Sequence, residues 1–143
     1  MLERALSKGG NEVSNREKGT STTVLVVEDF DETRFVLKLS LELRGYRVLE
    51  ALNGQEAVEI ARRERLDLIL MDLSLPVLDG FAATRCIREE ARSRDVPIVA
   101  VTAHATPEYR VKALAAGCNE YVTKPIDFEK LGQLLNRLLQ EEE

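Results

Sequence analysis

Two short apolar runs in this chain end in carboxylates: Val24-Leu-Val-Val27 runs into Glu28-Asp29, and Asp67-Leu-Ile-Leu-Met71 into Asp72. Two others end differently, Ile98-Val-Ala-Val101 in Thr102 and Glu120-Tyr-Val122 just before Lys124. If the runs are parallel strands, their ends gather on one edge of a sheet, where alternating strand and helix folds bind ligands. Acids, a hydroxyl and an ammonium on one edge can hold a divalent cation and a phosphoryl group together, since carboxylates supply the oxygen ligands of Mg²⁺ and the ammonium pairs with phosphate oxygens. Each residue taken alone has a plainer reading. Asp72 would cap a loop, Glu28 and Asp29 would cap a helix, Lys124 would be solvated, and Thr102 would be a β-branched strand residue. Their coincidence at matching strand ends selects the chemical reading.

The elements that must position these residues follow from periodicity. After the Val24–Val27 strand, residues 30–44 carry Phe35, Val36, Leu39 and Leu43 at helical spacing, which predicts one core-facing stripe, and Gly45 ends the helix. Residues 46–51 read as a strand, Asn53-Gly54 as a turn, and 55–64 as a helix burying Ala57, Val58 and Ile60 or Ala61. The third strand ends at Asp72; Pro76 and Asp79-Gly80 break the chain before a helix over 81–92. A strand over 96–101, a helix from Pro107 to Ala116 stopped by Gly117, a short strand at 120–122 and a helix over 127–140 complete the order. Leu131, Leu134, Leu135 and Leu138 make the apolar stripe of that last helix. Five strands alternating with five helices predict an α/β fold, a doubly wound parallel sheet with right-handed crossovers and both faces covered.

Composition narrows the function classes. With 143 residues, one domain over 22–143 is expected, preceded by a disordered leader over 1–21 rich in Lys, Glu, Asn, Ser and Gly. The net charge of −5 with mixed signs predicts no nucleic-acid partner, which would require clustered Lys and Arg. No stretch approaches the roughly 20 apolar residues of a membrane span, and two distant cysteines, Cys86 and Cys118, suit a reducing cytoplasm. The Arg62-Arg63-Glu64-Arg65 run reads as a solvated helix end.

From Val24 onward the chain resembles the receiver domains of two-component response regulators, especially the stand-alone chemotaxis type. The resemblance rests on Val27-Glu28-Asp29-Phe30, Met71-Asp72-Leu-Ser-Leu-Pro76, Asp79-Gly80, Val101-Thr102-Ala103, Ala116-Gly117 and Tyr121-Val-Thr-Lys124-Pro125 in that order. It implies the flavodoxin-like strand order 2-1-3-4-5, a cis Lys124-Pro125 bond, and Asp72 as phosphoacceptor from a histidine kinase or phosphotransfer protein. It implies further that Asp29, Asp72 and the Ser74 carbonyl ligate Mg²⁺, or Mn²⁺ in its place, with Glu28 acting through water. Lys124 and Thr102 would meet the phosphoryl oxygens, and Thr102 with Tyr121 would form the switch. Ser74 and His104, the only histidine, would tune hydrolysis of the phosphorylated form. The surface altered by phosphorylation would be the fourth helix, fifth strand and fifth helix, where a downstream target or a second copy docks.

On this reading the protein is a signalling receiver and not an enzyme on other substrates, either single-domain or a fragment of a hybrid kinase or larger regulator. The rival readings fit the residues less well. An aspartate-nucleophile phosphatase of the haloacid dehalogenase type expects an acid two residues after its nucleophile, and Ser74 stands there. A flavin binder needs a phosphate-cradling first loop, and Glu28-Asp-Phe-Asp31 is acidic. A receiver that acts only as a scaffold would not need the full set of acids, hydroxyl and lysine.

Overall fold

The computed structural model describes residues 22–104 and 106–140, so the expected leader over 1–21 lies outside the described residues. The elements are β1 (Thr23–Val27), α1 (Asp31–Leu43), β2 (Arg47–Ala51), α2 (Gly54–Arg63), β3 (Leu68–Asp72), α3 (Gly80–Glu89), β4 (Ile98–Thr102), α4 (Pro107–Ala116), β5 (Glu120–Thr123) and α5 (Phe128–Leu139). All strand pairs are parallel and the order is β2-β1-β3-β4-β5, as the resemblance implied. A 3-10 turn at Ala91–Ser93, which periodicity does not foreshadow, follows α3.

The sheet is covered on both faces because its strands are apolar on both. Leu25, Val27, Ile69, Met71, Ile98 and Ala100 pack under α2, α3 and α4. Val24, Val26, Leu68, Leu70, Val99 and Val101 pack under α1 and α5. Every residue of β1, β3 and β4 is buried, the signature of central parallel strands. Four helices begin on side-chain caps: Asn53 accepts from the Glu56 amide, Asp79 from Ala82, Thr106 from Tyr109, and Asp127 from Glu129 and Lys130.

One expectation is overturned. The stripe Phe35, Val36, Leu39 and Leu43 faces solvent; Leu37 and Leu41 are the α1 residues in the core, against Val24, Val26 and α5. The helix is apolar on two sides, and the register in which it lies on the sheet decided which side is covered. Leu37 and Leu41 are four apart, the spacing of one helical ridge, so a single ridge suffices to seat α1.

This assignment makes a direct prediction. Leu41→Ala removes a fully buried side chain and should cost about 2–5 kcal/mol of unfolding free energy. Leu43→Ala, at 79% exposure, should cost less than about 0.5 kcal/mol. Urea melts of the two variants read this, and equal losses would restore the face expected from spacing.

Candidate functional site

Register brings the chemistry-bearing residues level. Val27 pairs with Met71, so Glu28 follows β1 where Asp72 ends β3; Asp72 pairs with Val101, and Thr102 with Thr123, so Thr102 and Lys124 stand one step beyond on the next strands. The carboxylates of Glu28, Asp29 and Asp72 lie with one oxygen of each within 4.8 Å of the others. Glu28 and Asp72 are buried and Asp29 is exposed.

Behind Asp72 the chain is packed without slack. A Cβ on Gly80 would stand 2.4 Å from the Asp72 carbonyl oxygen and 2.7 Å from Leu73 Cα, so α3 can start this close only with glycine there. The loop between them turns sharply at Val77, whose φ is 68°, with the Leu78 amide donating to the Pro76 carbonyl at 2.7 Å.

Lys124 is the counter-charge. Its ammonium donates to Glu28 Oε1 at 2.9 Å and lies 3.5 Å from Asp72 Oδ2. The other Glu28 oxygen accepts the Phe30 amide at 3.1 Å, and Asp72 Oδ1 accepts the Ser74 amide at 3.0 Å. The peptide Lys124-Pro125 is cis, as expected. Burial pushes the Asp72 carboxyl up to about 6; the nearby Glu28 charge adds to this, and neither the Ser74 amide nor Lys124 offsets it. For Lys124, burial pulls the ammonium down, but the Glu28 hydrogen bond and the Asp72 charge outweigh it and its pKa is raised. The two directions agree physically, since one ammonium is attracted by both acids whereas Asp72 is also repelled by Glu28.

Three carboxylates against one ammonium leave this rim short of positive charge, and its donors are all oxygens. Those are the conditions that suit a hard divalent cation such as Mg²⁺. The residues therefore fit a cation.

Thr102 is wholly buried, and its hydroxyl accepts the His104 amide at 3.1 Å, which leaves the hydroxyl proton free to be donated elsewhere. Tyr121 is half-buried and its hydroxyl donates to the His104 carbonyl. The His104 ring does not join the acids; it stacks on Tyr109 of α4 with centroids 4.5 Å apart and planes at 12°. Tyr109 in turn meets Phe81, the residue after Gly80, at 5.4 Å. Ser74 is exposed on the loop after Asp72. The structure thus brings Glu28, Asp29, Asp72 and Lys124 together, ties the Ser74 amide to Asp72 and ends β4 at Thr102 on the neighbouring strand, whereas Tyr121 meets the His104 backbone and the His104 ring meets α4, not the acids. Sequence reasoning missed Tyr109, and also Arg34 of α1, whose guanidinium donates to the Glu28 carbonyl at 3.0 Å. A lone aromatic and a lone arginine on helices carry no pattern that could have marked them.

Among the described residues, no helix is long and apolar enough to cross a membrane. The family model described as the response regulator receiver domain matches residues 24–136. The PilH protein of Pseudomonas aeruginosa is 36% identical over 116 residues, which cover 81% of this chain and 96% of that protein. The crystal structure of a sensor histidine kinase receiver domain from the same organism, with magnesium in its active-site cleft, superimposes with a TM-score of 0.80. It is 42% identical and covers 85% of this chain and 100% of that one. The receiver domain of Saccharomyces cerevisiae Ssk1, crystallised with the histidine phosphotransfer protein Ypd1, gives a TM-score of 0.76 at 36% identity, covering 82% and 88%.

The Asp72 shift carries a stability consequence. Its carboxyl binds a proton more tightly folded than unfolded, so ionisation destabilises the cation-free fold: the penalty is absent below about pH 4 and complete above about pH 6. Asp72→Asn should therefore raise the stability of cation-free protein at pH 7.5 by about 1–3 kcal/mol, with the gain vanishing towards pH 4. Thermal melts across this range in chelator measure it; a gain independent of pH would refute the charge argument.

Proposed function

This chain belongs to the response regulator receiver family of two-component systems, and from that premise we propose that Asp72 is its phosphoacceptor. The observation that carries the reading is the convergence of Glu28, Asp29 and Asp72 with Lys124 on two of them. A carboxylate attacking an anionic phosphoryl group needs neutralised charge and fixed geometry more than covalent help. In the proposed transfer a carboxylate oxygen of Asp72 bonds to phosphorus while the phosphorus–nitrogen bond of a phosphohistidine donor breaks, and the freed imidazole takes a proton. Asp29, Asp72 and the Ser74 carbonyl would hold Mg²⁺, or Mn²⁺ of like oxygen preference, with Glu28 acting through water. That cation supplies charge neutralisation at the phosphoryl oxygens. Lys124 leaves its carboxylates to meet one phosphoryl oxygen, and Thr102 donates its spare proton to another.

The donor surface has support in the α1 correction. Phe30, which follows Asp29 and caps α1, is exposed, as are Phe35, Val36 and Leu39 on the helix itself, so an apolar stripe leads away from the acidic loop where a phosphohistidine would arrive. The donor is a histidine kinase or phosphotransfer protein, the class of partner crystallised with Ssk1. The output surface is α4, β5 and α5, where Val111, Leu114 and Phe128 are exposed, and a downstream protein or a second copy docks there. The coupling runs through Thr102 to Tyr121 by way of the His104 backbone. Residues 22–143 act as one cytoplasmic receiver unit that assists only its own phosphorylation and dephosphorylation. The same site would serve within a larger kinase chain, and a receiver domain of a sensor histidine kinase is among the structures this chain resembles.

Two measurements test this. Incubation with Mg²⁺ and acetyl phosphate should label the protein on Asp72; Asp72→Ala should take no label and Lys124→Ala should lose at least about tenfold in rate, while chelation abolishes labelling. Label retained by Asp72→Ala would move the acceptor elsewhere. On the proposal that Ser74 and His104 set the access of the attacking water, His104→Ala should change the lifetime of the phosphorylated form severalfold; an unaltered lifetime removes His104 from the mechanism.

A further inference from the structure

Arg34 sends its guanidinium from α1 back over the loop that carries the acids. Nη1 donates to the Glu28 backbone carbonyl at 3.0 Å, Nη2 reaches Asp31 Oδ1 at 2.7 Å, and Nε reaches Glu50 Oε1 at 3.1 Å. Its side chain is only 15% exposed, so this is a seated fork and not a solvated arginine. The rest of the turn is equally tied: the Glu28 amide donates to the Ala51 carbonyl at 3.0 Å and the Arg34 amide to the Phe30 carbonyl at 3.0 Å. The Phe30 amide donates to the Glu28 side chain.

Asp29 lies in the middle of this frame. It is exposed, and no hydrogen bond or ion pair among the described residues holds its carboxylate. Its place near Glu28 and Asp72 is therefore set by its backbone. Among the described residues, the one side chain that fixes the Glu28–Asp29 peptide from outside the loop is Arg34, also anchored to β2 through Glu50, which Lys38 pairs at 3.3 Å.

We propose that Arg34 is a positioning residue for the cation site: by gripping the Glu28 carbonyl it presents the Asp29 carboxylate already in place, so that binding a divalent cation orders less of the loop. This rests on the reading of Glu28, Asp29 and Asp72 as a cation site. Supporting groups of this kind, behind a ligand and not touching the metal, set affinity by holding the ligand's orientation. The sign of the effect separates the proposal from plain electrostatics. A guanidinium near a cation site repels the cation, so charge alone predicts tighter binding when Arg34 is removed. Positioning predicts weaker binding.

The test is calorimetric titration with Mg²⁺ of the wild type, Arg34→Ala, Arg34→Lys and Asp29→Ala, with thermal melts of each in chelator. Arg34→Ala should weaken Mg²⁺ binding about tenfold. Arg34→Lys, which keeps the charge but cannot span three oxygens, should also weaken it, and it carries the comparison if Arg34→Ala does not fold. Unchanged or tighter binding in the Arg34 variants, whatever the melting temperature does, overturns the proposal. Asp29→Ala serves the underlying reading: undiminished Mg²⁺ binding there would mean the acids are not the cation site, a failure distinct from that of Arg34.

Discussion

Mutual repulsion among carboxylates at the rim of the sheet is the constraint around which this molecule is arranged. Glu28 and Asp72 are buried, and burial strengthens every charge interaction between them. Burial pushes the Asp72 carboxyl up to about 6 and the Glu28 charge adds to it, while the single ammonium of Lys124, shared between the two acids, offsets only part of the rise. A buried ion pair of this kind is poor evidence for stability, since the desolvation of its members can exceed their attraction. Its value here lies in what it leaves unsatisfied: an oxygen-rich pocket that gains when positive charge enters, and a lysine whose partners can be exchanged.

The parallel sheet makes such an arrangement possible because register places successive strand ends side by side, with no side chain of the core intervening. Asp72 ends β3, Thr102 ends β4, and Glu28 and Lys124 follow β1 and β5 by one residue. Backbone packing then locks the depth of the pocket. Gly80 lets α3 lie directly against the Asp72 carbonyl, so the end of β3 cannot retreat from the charges it faces. On the α4 side, the Thr102 hydroxyl accepts the His104 amide and the Tyr121 hydroxyl donates to the His104 carbonyl, so both side chains are tied to the same backbone residue.

How much of this can be read from residue order differs by element. The strands of β1, β3 and β4 announce themselves, because central parallel strands are apolar throughout and their polar terminators are conspicuous. The acids, Thr102 and Lys124 were legible for the same reason. Helix α1 was not: Phe35, Val36, Leu39 and Leu43 form as regular a stripe as Leu37 and Leu41, and local period cannot choose between two apolar faces. The choice is tertiary, made by which ridge fits between Val24, Val26 and α5. Arg34 and Tyr109 were invisible on other grounds. Their partners are a backbone carbonyl, a residue of β2 and a stacked imidazole, and none of these contacts leaves a compositional trace.

In helix α1 the larger of the two apolar faces is the one left in water. Burial of Phe35, Val36, Leu39 and Leu43 would yield several kcal/mol if any element covered them, at about 25 cal/mol for each square ångström of apolar area. Chain folding alone gives no reason to forgo that. The polar side of the same helix holds Arg34 and Lys38, tied to Glu50 of β2. Rotating α1 to bury the larger face would pull Arg34 off the Glu28 carbonyl and the loop of Glu28 and Asp29 with it. The helix orientation therefore satisfies the acidic loop ahead of the hydrophobic count. The same rotational setting leaves Phe35, Val36, Leu39 and Leu43 exposed on the helix that follows the acidic loop.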